Sequence, residues 1–398
     1  MTLLALPEFW IFAFTLAGIA LLHRYALPLA LIGLACVIVY KLSVGGFTQG
    51  AGLQGLLLHL RHEWVILANL LALLSGFALL ARHFEASHLP QLLPAWLPDD
   101  WRGAWWLLVC VFVLSAVLDN IAAAMMGGSV AHVVFRGRVH VGYLAALVAA
   151  ANAGGAGSVV GDTTTTMMWL SGISPGQVFH AYLPAAIALL ITGLIAAHQQ
   201  QRFAPIMRDA PRDVRLDGAR LWVALSILLT AIVVNVAVNV YAPWLAEQWP
   251  CMGVAVWLAI VVTAVIRKPD WSVLPASLRG AVFLLSLVLM ASLLPVSKLP
   301  APSVASTFSL GWISAVFDNI PLTKLALEQG GYDWGLLAFA VGFGGSMLWF
   351  GSSAGVALCN QFPQARSAVA WLRDGWHVLL AYVLSFASSM WLLEYWRG

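Results

Sequence analysis

The sequence predicts an all-α polytopic membrane protein: an inverted repeat of about five spans plus one re-entrant hairpin in each half, with two broken helices. Three observations lead there. The 398 residues are 61% hydrophobic and only 9% charged, whereas roughly a quarter of a soluble domain is charged. Apolar runs of about 17 to 25 residues recur along the chain, each long enough to cross the roughly 30 Å of hydrocarbon as a helix. A polar pair also returns within apolar surroundings: "SAVLDNIAA", Ser115 to Ala123, comes back as "SAVFDNIPL", Ser314 to Leu322. A membrane β-barrel would alternate apolar and polar in segments of about ten residues and is excluded.

In chain order, continuous spans are expected at 3–22, 26–43, 63–82, 141–170, 180–198, 219–241, 251–266, 278–296, 333–360 and 376–395. The first run has no positively charged leader and no A-x-A-like cleavage site, so it is expected to be a retained span. Segments 104–135 and 302–328 each hold one Asp-Asn near the middle. The arms on either side are short for full spans. This favours hairpins with the polar pair at the tip, since irregular backbone at membrane depth is tolerated only where protein or a water-filled cavity covers it.

Orientation follows from the basic residues. Loop 199–218 and its edge carry Arg202, Arg208, Arg212, Arg215 and Arg220, which marks that loop as cytoplasmic. Tracing outward from it leaves only Lys41, Arg61, Lys298, Lys324 and Arg397 outside or in the membrane, so fifteen of the twenty Lys and Arg fall inside. The first hairpin then enters from the cytoplasm and the second from outside. The halves, 1–198 and 219–398, are predicted to have opposite topology, as in many secondary transporters with sites near the midplane. A cytoplasmic-membrane location follows.

After each hairpin comes a glycine-rich break inside a long apolar run. The first is "AANAGGAGSVVGDTTTTMMW", Ala150 to Trp169, and the second "VGFGGSMLWFGSSAGVA", Val341 to Ala357. Superposing Gly154-Gly155 on Gly344-Gly345 also pairs Gly161 with Gly351 and Asp162 with Ser352. Glycine lets a helix open at little steric cost, and the opened turn offers carbonyls and half-helix ends to an ion. Asp119, Asn120, Asn152, Asp162, Thr163 and Thr164 add hard oxygens, a ligand set for a small hard cation. Thr165 and Thr166 are expected to bond back to their own helix.

A carboxylate at membrane depth costs at least roughly 2.5 to 3.5 kcal/mol on insertion scales, so Asp119, Asp162 and Asp318 each need a partner, a proton or a function. Lys324, six residues beyond Asp318, could neutralise it locally, so whether Asp318 itself titrates stays open. The first half is then the titrating half, where a cation can compete with protons for Asp119 and Asp162. Other polar residues carry less. Glu63, Glu85, Asp99, Asp100 and Asp270 are expected at solvated span ends, and His132, His180 and His377 have no partner at ligand spacing. Trp96, Trp101, Trp105, Trp106, Trp244, Trp249 and Trp396 fit interfacial belts. Cys36, Cys110, Cys251 and Cys359 are isolated and read as packing residues.

Over "LDNIAA", "ANAGGAGSVVGDTTTTMMW", "DNIPL" and "GFGGSMLWFGSSAGVA" the sequence resembles the NhaD-type sodium/proton antiporters, within the superfamily that also holds citrate, dicarboxylate and arsenite carriers. The resemblance implies extrusion of Na+ or Li+ in exchange for H+, scaffold helices, and a transport domain carrying the hairpins and broken helices. Its functional positions fall on Asp119, Asn120, Asn152, Asp162, Thr163 and Thr164, and on Ser314, Asp318 and Asn319. Serines after the second Gly-Gly point to Ser346, Ser352 and Ser353. Asp119 and Asp162 are the expected ligands of the transported Na+. No cofactor, no nucleic-acid partner and no enzymatic activity are expected; the lipid bilayer is the surroundings, and a homodimer stays open. One departure is that Asp119 lies 35 residues before Gly154 but Asp318 only 26 before Gly344, which breaks strict pseudo-symmetry. The alternatives are an anion carrier of the same superfamily and an intramembrane aspartyl protease. The latter fits poorly, because Leu118 rather than a tyrosine precedes Asp119.

Overall fold

The computed structural model describes residues 7–22, 25–47, 50–92, 97–116, 118–158, 161–206, 215–295 and 299–397. Arg24, Trp96, Arg208, Arg212 and Lys298 lie outside the described residues. The described chain is helical. Its α-helices are α1 (Pro7–Leu21), α2 (Ala26–Tyr40), α3 (Gly52–Glu85), α4 (Leu89–Leu92), α5 (Trp101–Ser115), α6 (Asn120–Val134) and α7 (Val141–Ala156). There follow α8 (Thr163–Leu170), α9 (Pro175–Phe179), α10 (Tyr182–Phe203), α11 (Gly218–Tyr241), α12 (Pro243–Gln248), α13 (Cys251–Thr263) and α14 (Leu274–Ser292). The last six are α15 (Val304–Ser314), α16 (Asn319–Gln329), α17 (Trp334–Gly344), α18 (Ser353–Gln361), α19 (Ala368–Asp374) and α20 (Trp376–Arg397).

Local chemistry sets many of these starts. Asp100 caps α5 by accepting the Arg102 N–H at 2.8 Å, Ser303 caps α15 through the Ser306 N–H at 3.1 Å, and Asp333 caps α17 through the Leu336 N–H at 3.0 Å. Each supplies an acceptor that the first turn of a helix lacks. Among the described residues four helical stretches are long and apolar enough to cross a membrane unaided: Ala26–Gly45, Gly52–Glu85, Pro175–Phe203 and Trp271–Ser292. The pair Ala368–Asp374 and Trp376–Leu392, bent by 61°, would make a fifth. The apolar runs 141–170 and 333–360 are not among them because each is divided into two shorter helices.

The chain folds into two compact units, each drawn from both halves of the sequence. One comprises residues 1–80, 225–302 and 320–331. There α3 begins eleven residues earlier than the apolar run 63–82 implies, because the leucines of Gly52–His62 continue the helix past Arg61 and Glu63. Small residues bring α3 and α13 together: a Cβ on Gly253 would meet Ala72 at 2.5 Å. The Asn69 Oδ1 accepts the Gly253 N–H at 3.0 Å, and Trp257 Nε1 donates to Ala72 O at 3.0 Å.

Glu63 is not solvated in this unit, as the sequence implied, but 1% exposed. Lys324 explains the difference, since its Nζ lies 3.0 Å from Glu63 and 2.8 Å from Glu328. The lysine that could have neutralised Asp318 is thus engaged by two glutamates.

The other unit comprises residues 81–224, 303–319 and 332–398. Its centre is α7, in which every residue from Gly142 to Ala156 is buried. Helices α5, α10 and α17 pack on it, α15 packs on α17, and α18 packs on α6. His180, expected to be a satisfied histidine and not a ligand, bonds through Nε2 to Asp333 Oδ1 at 2.6 Å, its ring lying over Gly335, where any Cβ would clash with it.

Candidate functional site

The Asp, Asn, Ser and Thr residues of the motifs singled out in the sequence fall in the unit built around α7. Four helices end there and four begin. Helix α5 stops at Ser115 and α6 starts at Asn120 with Asp119 as its cap; α7 stops at Ala156 and α8 starts at Thr163 after Asp162. Likewise α15 stops at Ser314 and α16 starts at Asn319, while α17 stops at Gly344 and α18 starts at Ser353 with Ser352 as its cap. Helix C-termini present free carbonyls, which attract a cation, and helix N-termini present free N–H groups, which stabilise carboxylates. Each Asp therefore sits where backbone dipoles favour its charge without neutralising it.

The glycines account for how closely the ends approach. A Cβ on Gly154 would lie 2.0 Å from Phe112 O of α5, and one on Gly344 2.2 Å from Gly311 O of α15. Gly161 and Gly351 are pressed in the same way against Ser115 O and Ala315 O, at 2.0 and 2.4 Å. The serines of the repeated Ser-Ala-Val fasten the same crossings. Ser115 Oγ donates to Ala151 O at 2.5 Å, and Ser314 Oγ donates to Val341 O at 2.6 Å. Ser115 is a site residue that sequence reasoning passed over, although its equivalence to Ser314 in the repeat was the signal for it.

A continuous hydrogen-bond network links the two motif sets. Asn120 Nδ2 donates to Asn152 Oδ1 at 3.1 Å and to Asp162 Oδ1 at 3.3 Å. Asn152 Nδ2 in turn donates to Ser346 Oγ at 2.9 Å and to Ser352 Oγ at 3.2 Å. The Thr164 hydroxyl donates to Asp162 Oδ2. Thus Asn120, Asn152, Asp162, Thr164, Ser346 and Ser352 form one buried cluster. The Asp162 carboxylate also lies over α17 at Gly342, where a Cβ would come within 3.8 Å of Oδ2.

The remaining predicted residues stand around this cluster. Asp119 accepts the Ile121 N–H at 3.2 Å and a bond from the half-buried Thr163, and it lies close enough to Asp162 for the two charges to interact. Asp318 accepts from Ser353 Oγ at 2.6 Å and also feels Asp162. Asn319 is buried at the start of α16. Thr165 and Thr166 turn back as expected, both donating to Asp162 O at 2.9 Å. Ser158 serves the break itself: its Oγ accepts the Gly161 N–H at 3.1 Å, and its carbonyl accepts from Thr165.

Three carboxylates, amide and hydroxyl oxygens, and helix-end carbonyls therefore converge. Such a set suits a hard monovalent cation or the protons that replace it.

No protein-family model matches the chain. Among curated proteins it is 30% identical over 307 residues to sodium/proton antiporter 2 of Arabidopsis thaliana, covering 63% of this chain and 68% of that one. It is 26% identical over 390 residues to the Na(+)/H(+) antiporter NhaD of Alkalimonas amylolytica, covering 83% and 79%. To NhaD of Vibrio cholerae it is 25% identical over 385 residues, covering 82% and 78%. With the site geometry above, this similarity along most of the chain makes it a member of the NhaD-type sodium/proton antiporter family.

Proposed function

We propose that the protein exchanges Na+ or Li+ for H+ across the cytoplasmic membrane by alternating access, with Asp119 and Asp162 as the carboxylates that cation and protons share. The observation that carries this reading is the buried cluster in which Asp162 and Asn120 of one motif set meet Ser346 and Ser352 of the other through Asn152. With both carboxylates charged, the site offers a cation two anionic oxygens beside Thr163, Thr164, Asn120, Asn152 and the serines. Protonation removes the charges and with them most of the attraction, so the cation leaves. Because the same oxygens serve both ions, the site carries one load or the other in each direction.

Asp318, with Ser353, Asn319 and Ser314, completes the pocket from the second set. We read the two sets as an inverted repeat with re-entrant hairpins over 104–135 and 302–328. Contacts matched within each half support the repeat: Ser115 to Ala151 O and Ser314 to Val341 O, and Gly154 on Phe112 and Gly344 on Gly311. The bias of Lys and Arg supports a cytoplasmic loop at 199–218 in a bacterial inner membrane. A carried anion would have to enter among three acidic residues, which disfavours that alternative.

The test is Na+-induced dequenching of a pH-gradient dye in everted vesicles. Asp119→Asn and Asp162→Asn should each abolish the response to Na+ and Li+ at normal expression. Normal exchange by both variants would overturn the assignment.

A further inference from the structure

The cap of α7 is a histidine, and it works only when neutral. His140 Nδ1 accepts the Gly142 N–H at 3.1 Å, which requires that nitrogen to carry no proton. The backbone beneath is fixed: the His140 N–H donates to Gln200 Oε1 at 2.8 Å, and Gln200 Nε2 donates to Arg138 O and Ala204 O at 3.0 Å each. The Phe203 ring meets the imidazole edge-on at 5.3 Å. The charged and titratable neighbours are Arg138 in the same turn, Asp374 and Arg373 of α19, and His377 of α20. Asp374 and Arg373 are themselves paired at 2.8 Å.

Burial pushes His140 below the ordinary histidine value; Asp374 opposes this and Arg373 adds to it. The neutral, capping form therefore prevails at and above neutral pH and is lost as pH falls through the lowered value. Protonation turns Nδ1 into a donor, leaves the Gly142 N–H without its acceptor, and puts a positive charge at the positive end of α7. The helix has no slack to absorb this at its start, because a Cβ on Gly142 would already lie 2.3 Å from Asp374 O. Three turns further along the same buried helix is Asn152, the hub of the ion site. The cap of α17 is built differently: Asp333 Oδ1, a carboxylate oxygen, accepts from both the Leu336 N–H and His180 Nε2.

We propose that His140 is a positioning residue whose neutral imidazole holds α7, and with it Asn152, in the ion-binding register, so that a proton on His140 slows exchange. This rests on the exchange reading above but is separable from it. On the Na+ side, protons competing at Asp119 and Asp162 are outrun by saturating Na+ and raise only KM, and as the returning load on the other side they speed the cycle, whereas loss of the cap lowers the maximal rate whatever the Na+ concentration.

The experiment uses proteoliposomes set to the same pH on both sides, with exchange started by a Na+ gradient and both kinetic constants measured from about pH 5.5 to 8.5, the range in which histidine titrates. His140→Asn and His140→Ser keep a capping oxygen that does not titrate. Relative to its own alkaline rate, each should retain at least about threefold more maximal rate at the acid end than the wild type, with the dependence of KM on pH unchanged. His140→Ala should be slower by about fivefold at the alkaline end, the factor that corresponds to a lost cap of ordinary strength, and the difference from the wild type should close as pH falls and the wild-type cap is itself lost. A wild-type maximal-rate profile in both capping variants would overturn the proposal while leaving Na+/H+ exchange intact. Exchange that survives Asp119→Asn and Asp162→Asn would instead overturn the function it rests on.

Discussion

Asn152 is the residue on which the site turns. It is 0% exposed, receives one bond from Asn120 and gives two to serines of the second set. Replacing it by Ala strands those partners in a buried setting, at about 1 to 3 kcal/mol for a group left unsatisfied. We therefore predict that Asn152→Ala raises the apparent KM for Na+ about tenfold or more, tenfold being 1.4 kcal/mol. An unchanged KM in Na+ titrations of dequenching would show that the network does not shape the site. Much of this cluster was legible beforehand, because Asp, Asn, Thr and Ser are conspicuous where apolar residues are expected and the breaks announce themselves as glycines. The partners of the other polar residues were not. Glu63 and Lys324 are 261 residues apart, and His180 and Asp333 153; nothing local in the sequence signals either pairing. Ser115 was passed over although it matches Ser314 in the repeat, since a serine in an apolar helix ordinarily bonds to its own backbone.

Among the elements, helix ends held face to face by glycine are what build the site. At Gly154 and Gly344 the obstacle to a side chain is a backbone carbonyl, which cannot rotate away, so a methyl group there must push one helix off another. Overpacking of this kind costs typically 1 to 3 kcal/mol and sometimes more. Gly154→Ala and Gly344→Ala should both lower the melting temperature of the detergent-purified protein by several degrees or prevent its accumulation. Gly280→Ala, where a Cβ meets nothing within 4 Å, should be neutral or slightly stabilising, as alanine is the better helix former. Equal effects at all three positions would mean that the close crossings are not maintained in the membrane. The repeated Gly-Gly motif foretold that the helices open. It did not foretell which carbonyls the glycines would face, because that depends on how α5 and α15 cross their neighbours, a packing property with no signature in spacing.

For the whole molecule, the chain divides twice, and the two divisions differ. By sequence it splits at loop 199–218 into halves with matching motifs; by packing it forms two units, each taking segments from both halves. Such interleaving is what an inverted repeat produces when corresponding helices of the two halves assemble together. If the topology is inverted, loops at equivalent places in the halves must face opposite sides of the membrane. The turn Arg136–Gly137 lies between α6 and α7, and the turn Gly330–Gly331 between α16 and α17; both have positive φ. With Cys36, Cys110, Cys251 and Cys359 replaced, a cysteine at Gln329 should react with a membrane-impermeant maleimide in intact cells. One at Arg136 or Arg202 should react only after permeabilisation or in everted vesicles. The three positions also check one another, since Arg136 and Arg202 are separated by an even number of crossings, α7 with α8 and then α10, whereas Gln329 belongs to the opposite face. Labelling of Arg136 and Gln329 from the same side would make the motif repeat a parallel one.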